Sequence, residues 1–225
     1  LSLTPARIRF LYAAAVIGDV AQLGMAVAPG HRIGLSATLV RLNAQYDGVD
    51  FPPPDFAPDA SGDWRNRVRS QTVALSHSAQ WTPQWRSELG LSDQDDQSLA
   101  GLATPDRFTT ERRQLSWQHT LTIAPHTQAV AFVEALNTRA EIQSGFANYA
   151  NQRRNRALGV VGAFGFGAAQ AHRLQADLRR DSNSAYGGST TGRLGYSFAM
   201  QPALTLRAAA GTAFRAPSFF MILAR

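Results

Sequence analysis

The 225-residue chain has no cysteine. That absence removes disulfide frameworks, thiolate nucleophiles and cysteine-based zinc sites together, and leaves the compartment open. Charge is sparse as well, at 17% of residues against 44% hydrophobic, which excludes a disordered acidic tail. A string of hydrophobic spanning helices is equally excluded, because the mean hydropathy is only -0.19. That value is usual for a soluble protein. A barrel that spreads its lipid-facing residues two apart scores the same, so hydropathy does not exclude a membrane. The formal charge of +6 comes from 22 basic and 16 acidic residues. The cations are arginines scattered along the chain, often at alternate positions as Arg7 and Arg9 or Arg67 and Arg69 are. Nucleic-acid binding needs them clustered on one face among aromatics, so no nucleic-acid partner is expected.

What is present from His31 onward is alternation at period two. Between Arg69 and Trp81, Val73, Leu75, Ala79 and Trp81 share one face, while Thr72, Ser76, Ser78 and Gln80 share the other. Between Glu111 and Ile123, Leu115, Trp117, Leu121 and Ile123 oppose Gln114, Ser116, Gln118, Thr120 and Thr122. The runs His172 to Arg179, Arg193 to Phe198 and Leu204 to Phe214 repeat the pattern. Phase fails where Val40 follows Leu39 and where Phe132 precedes Val133, and a bulge or a misplaced boundary would account for either.

Connections read as alternately short and long. Thr82-Pro83-Gln84 and Met200-Gln201-Pro202 read as tight turns; 47–65, 92–107 and 138–155 read as long polar loops. Tight periplasmic turns alternating with larger external loops are the layout of an outer-membrane barrel. About nine strands fit at this spacing, and no helix is required.

Alternation alone does not separate a soluble sandwich from a barrel. Two features favour the barrel. Trp81 and Trp85 flank a tight turn and Tyr196 and Phe198 lead into another, as the aromatic girdles of barrels do at the headgroup level. The runs are also long, matching the roughly 9–11 residues of a tilted spanning strand better than the average of about 5–6. His77 and His119 interrupt the apolar face at places suited to an interface, and a metal is not required to explain them. The expected fold is therefore all-β, an antiparallel transmembrane β-barrel, partial, in contact with outer-membrane lipid.

Residues 1–30 stand apart. Arg7 and Arg9 precede the apolar run Phe10 to Gly18, and Ala26-Val27-Ala28 has the look of a cleavage site, the outline of a signal peptide. Asp19 interrupts that apolar run, and a strand pair is the competing reading.

The C-terminal half carries the most specific motifs. Arg179, Asp181, Asn183 and Ser184 lead into Tyr186 and Gly187, and a later element holds Gly211, Phe214, Arg215, Ala216, Pro217 and Ser218. Together they resemble the barrel of TonB-dependent outer-membrane receptors, in which a strand ending Arg-x-Asp-x-Asn, a Gly-rich strand and Gly-x-x-Phe-Arg-Ala-Pro-Ser follow one another. The strands "LSWQHTLTI" and "QRRNRALGVVGAFGFG" look most similar to the cobalamin-receptor branch. The resemblance covers residues 31–219, with 220–225 atypical.

What this resemblance implies is active transport of a large scarce ligand such as cobalamin, driven by the TonB energy-coupling protein through a plug domain that these residues do not contain. The family's barrel is plugged and has about 22 strands, so nine strands make part of one, and an open half-barrel with unpaired edges would not insert stably alone. A gene fragment is the corresponding expectation. An iron-siderophore or haem receptor of the same family, and an unrelated barrel such as a porin, are the alternatives. No enzyme, cofactor or metal is expected. Ser116 and His119 lie near each other but on opposite faces by parity, without a Gly-x-Ser-x-Gly elbow. Polar lumen candidates are Arg173, Gln175, Asp177, Arg179, Arg193, Arg207 and Arg215. The acidic stretch with Asp47, Asp50, Asp55, Asp59 and Asp63 fits no defined calcium loop, and solubility explains it.

Overall fold

A computed structural model describes residues 14–59, 61–102, 104–145 and 148–217. Ten antiparallel strands form one sheet in sequence order. They are β1 (Ala14–Ala28), β2 (His31–Gln45), β3 (Arg65–Thr82), β4 (Trp85–Gly101), β5 (Asp106–Ala124), β6 (Thr127–Gln143), β7 (Asn148–Phe166), β8 (His172–Asn183), β9 (Gly187–Gln201) and β10 (Leu204–Gly211). One 3-10 turn, Ala168–Gln170, joins β7 to β8. No helix among the described residues is long and apolar enough to cross a membrane, which leaves spanning by strands untouched.

The alternation sets which face each side chain takes, and burial shows what each face meets. On β3, Val73 and Leu75 are exposed while Thr72 and Ala74 between them are partly covered. Leu158, Leu178 and Leu194 are each more than half exposed. Among the described residues the only buried apolar side chains are Ala79 and Ala157, and no large side chain is fully buried. A soluble sandwich hides its apolar face in a core. Here that face is turned outward and the polar face is the more sheltered one, an arrangement that needs hydrocarbon as its solvent.

All five connections at one end are tight. Pro29-Gly30, Pro83-Gln84, Pro125-His126 and Pro202-Ala203 each separate a strand pair, and Gly167 opens the 3-10 turn of the fifth. Gly30 adopts φ 76, a left-handed conformation, and a Cβ there would lie 2.8 Å from the Gln80 carbonyl oxygen. Proline, lacking an N–H, suits the turn and not the ladder on either side.

From His31 onward the described strands number nine, as the spacing led one to expect, and Ala14–Ala28 adds a tenth, β1, paired along its length with β2. The strand reading of this segment is the one the fold takes, and Arg7, Arg9 and Phe10 lie outside the described residues. Other expectations need correction. The supposed loops 92–107 and 138–155 are largely strand: β4 continues to Gly101 and β7 begins at Asn148. A 19-residue strand such as β5 rises about 65 Å at about 3.4 Å per residue, well beyond the hydrocarbon core of about 30 Å even when tilted. Where strands stand clear of lipid both faces meet water, so period two vanishes from the sequence while the hydrogen bonds continue. Neither phase irregularity is a bulge. The β2–β3 register is unbroken through Leu39 and Val40, and the β5–β6 register through Phe132 and Val133. Val40 and Phe132 are apolar residues placed on the sheltered face.

Candidate functional site

The sheltered face of β6, β7 and β8 is a lattice set by register. Phe132, Gly159 and Arg179 lie directly across from one another; the next row is Glu134, Ala157 and Asp181, and the third is Leu136, Asn155 and Asn183. The central strand contributes Gly159 and Ala157, too small to fill the surface above it. Side chains from β6 and β8 therefore meet over β7. A Cβ at position 159 would lie 2.5 Å from Phe132 Cζ.

Arg179 uses this space fully. Its Nη2 donates to Glu134 Oε2 at 2.8 Å and to Asp181 Oδ1 at 3.1 Å, and its Nε donates to Asp181 Oδ2 at 2.9 Å. Its Cζ lies 5.5 Å from the centroid of the Phe132 ring. A planar guanidinium satisfies two carboxylates and a π-face at once, which a lysine ammonium cannot do. Asn155 Nδ2 donates to Asp181 Oδ1 at 3.1 Å, and the Asn183 Oδ1 accepts the Ala185 N–H at 2.9 Å, closing the β8–β9 turn. Ser184 Oγ accepts the Arg154 N–H at 3.0 Å. Asn183 Nδ2 donates to Asn155 Oδ1 at 3.5 Å, so the motif residues Arg179, Asp181 and Asn183 fall in one network, which Glu134, Asn155 and Phe132 join unforeseen, while Ser184 stays apart on the Arg154 backbone. The out-of-phase Phe132 was the one available signal.

The other motif folds back. After Gly211 ends β10, Phe214 approaches Tyr186 with ring centroids 5.7 Å apart, and Arg153 Nη1 donates to the Pro217 carbonyl at 2.8 Å. The segment from β10 thus reaches back past β9 and β8 to a buried arginine of β7. Arg215 and Ala216 are exposed within it, and Ser218 lies outside the described residues.

Of the other lumen candidates, Arg173, Gln175, Asp177, Arg193 and Arg207 share the face of Arg179. Arg173 stands opposite Ser197, Ser197 opposite Arg207, and Asp177 opposite Arg193. The three arginines and Gln175 line an open hollow of about 760 Å³ near the tight turns, with Gln128 and Ser197. Arg215 is not in this lattice.

On the outward face, the tight-turn end carries a belt of aromatic and histidine rings. His31 lies edge-on to Trp81 at 5.1 Å, Trp81 and Trp85 are 5.8 Å apart, and Trp85 Nε1 donates to His119 Nδ1 at 3.0 Å. Across the sheet, His172 stacks on Phe198 at 4.6 Å and meets the Tyr196 hydroxyl at 2.7 Å. Amphipathic rings at one height, outside an apolar wall, suit the membrane–water boundary. His119 belongs to this belt, whereas Ser116 points to the hollow lined by Gln114, Gln118 and Glu134 on the sheltered face. The two do not form a nucleophile–base pair.

A model of the family described as TonB dependent receptor-like, beta-barrel matches residues 19–224. The chain belongs to that family. As a TonB-dependent receptor barrel segment it is an outer-membrane protein, and the family is one of receptors and transporters, not of enzymes. Among solved structures it is similar to the siderophore receptor PirA from Pseudomonas aeruginosa, with a TM-score of 0.72 and 18% identity over 92% of this chain and 35% of that one. It is similar to the ferric citrate transporter FecA, at TM-score 0.70 and 11% identity over 90% and 36%. It is also similar to the ferric enterobactin receptor PfeA from Pseudomonas aeruginosa, at TM-score 0.70 and 14% identity over 92% and 34%. The chain spans about a third of the length of each. A search of curated proteins gives no match. At these identities the likeness is one of fold. Among the described residues the sheet ends at β1 and β10, and it overlays part of each of these longer chains.

The acidic stretch lies in the connection between β2 and β3, outside the spanning part of this receptor segment. Asp50 and Asp59 pair through their backbones, and Asp63 turns to Arg65 at 2.7 Å. Asp59 Oδ1 accepts the Ser61 N–H at 2.8 Å, and hydrogen bonds from the Ser61 side chain and backbone hold its carboxyl below the usual carboxylate range. Among the described residues no three acidic or histidine side chains converge as metal ligands do.

Proposed function

We propose that these strands form part of the wall of an active transporter that brings a large, scarce ligand through the outer membrane, with energy delivered by TonB through a plug domain. The observation that carries this reading is the inverted sheet, apolar outside and polar inside, in a chain of this receptor family. The polar face would line the passage. There the Arg179 network braces the wall at the level of the outward Leu158 and Leu178, and the hollow lined by Arg173, Arg193 and Arg207 faces the interior near the periplasmic turns. No step makes or breaks a covalent bond.

For the ligand, the similarity of "LSWQHTLTI" and "QRRNRALGVVGAFGFG" to the cobalamin-receptor branch favours cobalamin. A ferric chelate is the second reading, favoured by the names of the structural neighbours, a siderophore receptor and a ferric citrate transporter. Equilibrium binding of cyanocobalamin and of ferric enterobactin to the full-length protein in detergent separates them. Submicromolar binding of cyanocobalamin alone supports cobalamin uptake; binding of the iron chelate alone transfers the assignment to it. Binding of neither, with no TonB-dependent uptake of either by cells, overturns both.

A further inference from the structure

The outward face is not uniform above its apolar belt. On the side away from the tight turns, two groups of arginines stand at the lipid boundary. On β2 and β3, Arg41 lies directly opposite Arg69, with Arg67 one outward position further on. On β7 and β8, Leu158 lies opposite Arg180, and Arg156 and Arg154 follow Leu158 outward on the same face. Arg156 and Arg180 are therefore diagonal neighbours, about 7–8 Å apart at the backbone.

Like charges so placed repel one another unless something negative lies between them. Between the two groups the face supplies its own anions: Arg113 Nε pairs with Asp93 at 2.9 Å and Arg139 with Glu141 at 3.6 Å. Neither group makes an ion pair among the described residues, but Asp19 lies diagonally from Arg41 and Asp95 diagonally from Arg69 on the same outward face. Arg180 Nη1 meets only the Thr190 hydroxyl at 2.8 Å, and Arg69 Nη2 the Gln71 side-chain oxygen at 3.1 Å. On the described outward positions of β7, β8 and β9 above the belt there is no acidic residue at all. The chain uses no lysine anywhere; every one of its 22 cations is an arginine, the side chain whose fork matches phosphate oxygens in pairs. Below the β7–β8 group the wall is exposed leucine, Leu158 and Leu178; below the other group the half-buried Leu39 and the exposed Val73 stand across from Asp19 and Asp93.

We propose that the β7–β8 arginine group, which has no acid beside it, binds the phosphates of a phosphorylated glycolipid of the outer leaflet, whose acyl chains lie along the apolar wall beneath. The height fixes the occupant as a lipid. A phosphate at these arginines is at headgroup level, and chains attached to it run down over the leucines. This rests on the outer-membrane placement, with tight turns toward the periplasm.

The test is native mass spectrometry of the full-length protein in detergent, titrated with bisphosphorylated lipid A. Two triple variants are compared with wild type: R41Q/R67Q/R69Q and R154Q/R156Q/R180Q. R113Q serves as a control that removes one charge of the same face from an existing ion pair. R154Q/R156Q/R180Q should lose at least about ten-fold in lipid retention. R41Q/R67Q/R69Q, whose arginines have Asp19 and Asp95 beside them, should lose less, R113Q should be near wild type, and lipid A stripped of its phosphates should be retained poorly by all. Equal retention by R154Q/R156Q/R180Q and wild type, or a loss no greater than that of R41Q/R67Q/R69Q, would overturn the proposal. So would equal retention of the phosphate-free lipid, retention of phosphatidylglycerol as strong as that of lipid A, or full displacement by millimolar inorganic phosphate. Heat-modifiable migration on gels reports barrel folding; should a triple variant fail it, the single variants R69Q and R180Q carry the same comparison. Ligand uptake by cells is scored separately, so a failed transport assignment leaves the lipid result readable, and the reverse also holds.

Discussion

Phe132 and Arg179 sit two strands apart and touch, because the residue between them is Gly159. Three side chains in one cross-strand row thereby act as one unit. The glycine supplies room, the ring supplies a π-face, and the guanidinium bridges Glu134 and Asp181.

Filling that room should be costly. Gly159→Ala places a methyl 2.5 Å from the Phe132 ring and 3.0 Å from the Leu178 carbonyl oxygen. The expected loss is about 1–3 kcal/mol of barrel stability, read as a lower urea midpoint for the protein folded in lipid vesicles. Gly195→Ala, whose Cβ would meet nothing closer than 4.0 Å, should change the midpoint little.

The Arg179–Glu134 contact links β6 to β8 without a backbone bond between them. Both side chains are about one-third exposed, so water weakens the pair. A double-mutant cycle of Arg179→Gln and Glu134→Gln should give a coupling of about 1 kcal/mol. A coupling near zero would show that Asp181 alone holds Arg179.

At the tight-turn end, the aromatic belt should lie at headgroup depth. In variants retaining one of the four tryptophans, Trp81 fluorescence should be quenched most by lipids carrying the quencher near the headgroup. Trp64, which precedes β3 and packs beside Tyr46 at 6.1 Å, should escape quenching from any depth.

The Asp59–Ser61 contact has a defined pH response. Because the folded pKa of Asp59 lies below its unfolded value, the contact adds to loop order above the ordinary carboxylate pKa of about 4. It is lost as pH falls through the lowered pKa. Hydrogen exchange at the Ser61 amide should quicken over that acid range, and Asp59→Asn should flatten the dependence.

The lipid-level half of each strand was legible in the sequence because hydrocarbon on one side and water on the other enforce period two. Above the lipid that contrast ends, and β4 beyond Ser92 and β7 before Asn155 read as loops although their ladders are complete. Of the site, Arg179, Asp181 and Asn183 were found through motif resemblance. Glu134 and Asn155 were not, because they join through the pairing of β6 and β7 with β8, and register across three strands leaves no local mark. Phe132 was visible only as a break in phase.

The central claim is that the apolar face meets lipid. These strands contain no cysteine, so single cysteines along β3 from position 70 to 76 can carry a spin label with no background from the strands themselves, any cysteine elsewhere in the protein being replaced by serine. With the full-length protein in vesicles, collision rates with oxygen and with a water-soluble nickel chelate are measured at each position. The expected result is oxygen access peaking at 73 and 75 and chelate access peaking at 72 and 74, alternating residue by residue. Labels at 73 and 75 that both reagents fail to reach, as in a protein core, or that the chelate reaches best, would contradict it.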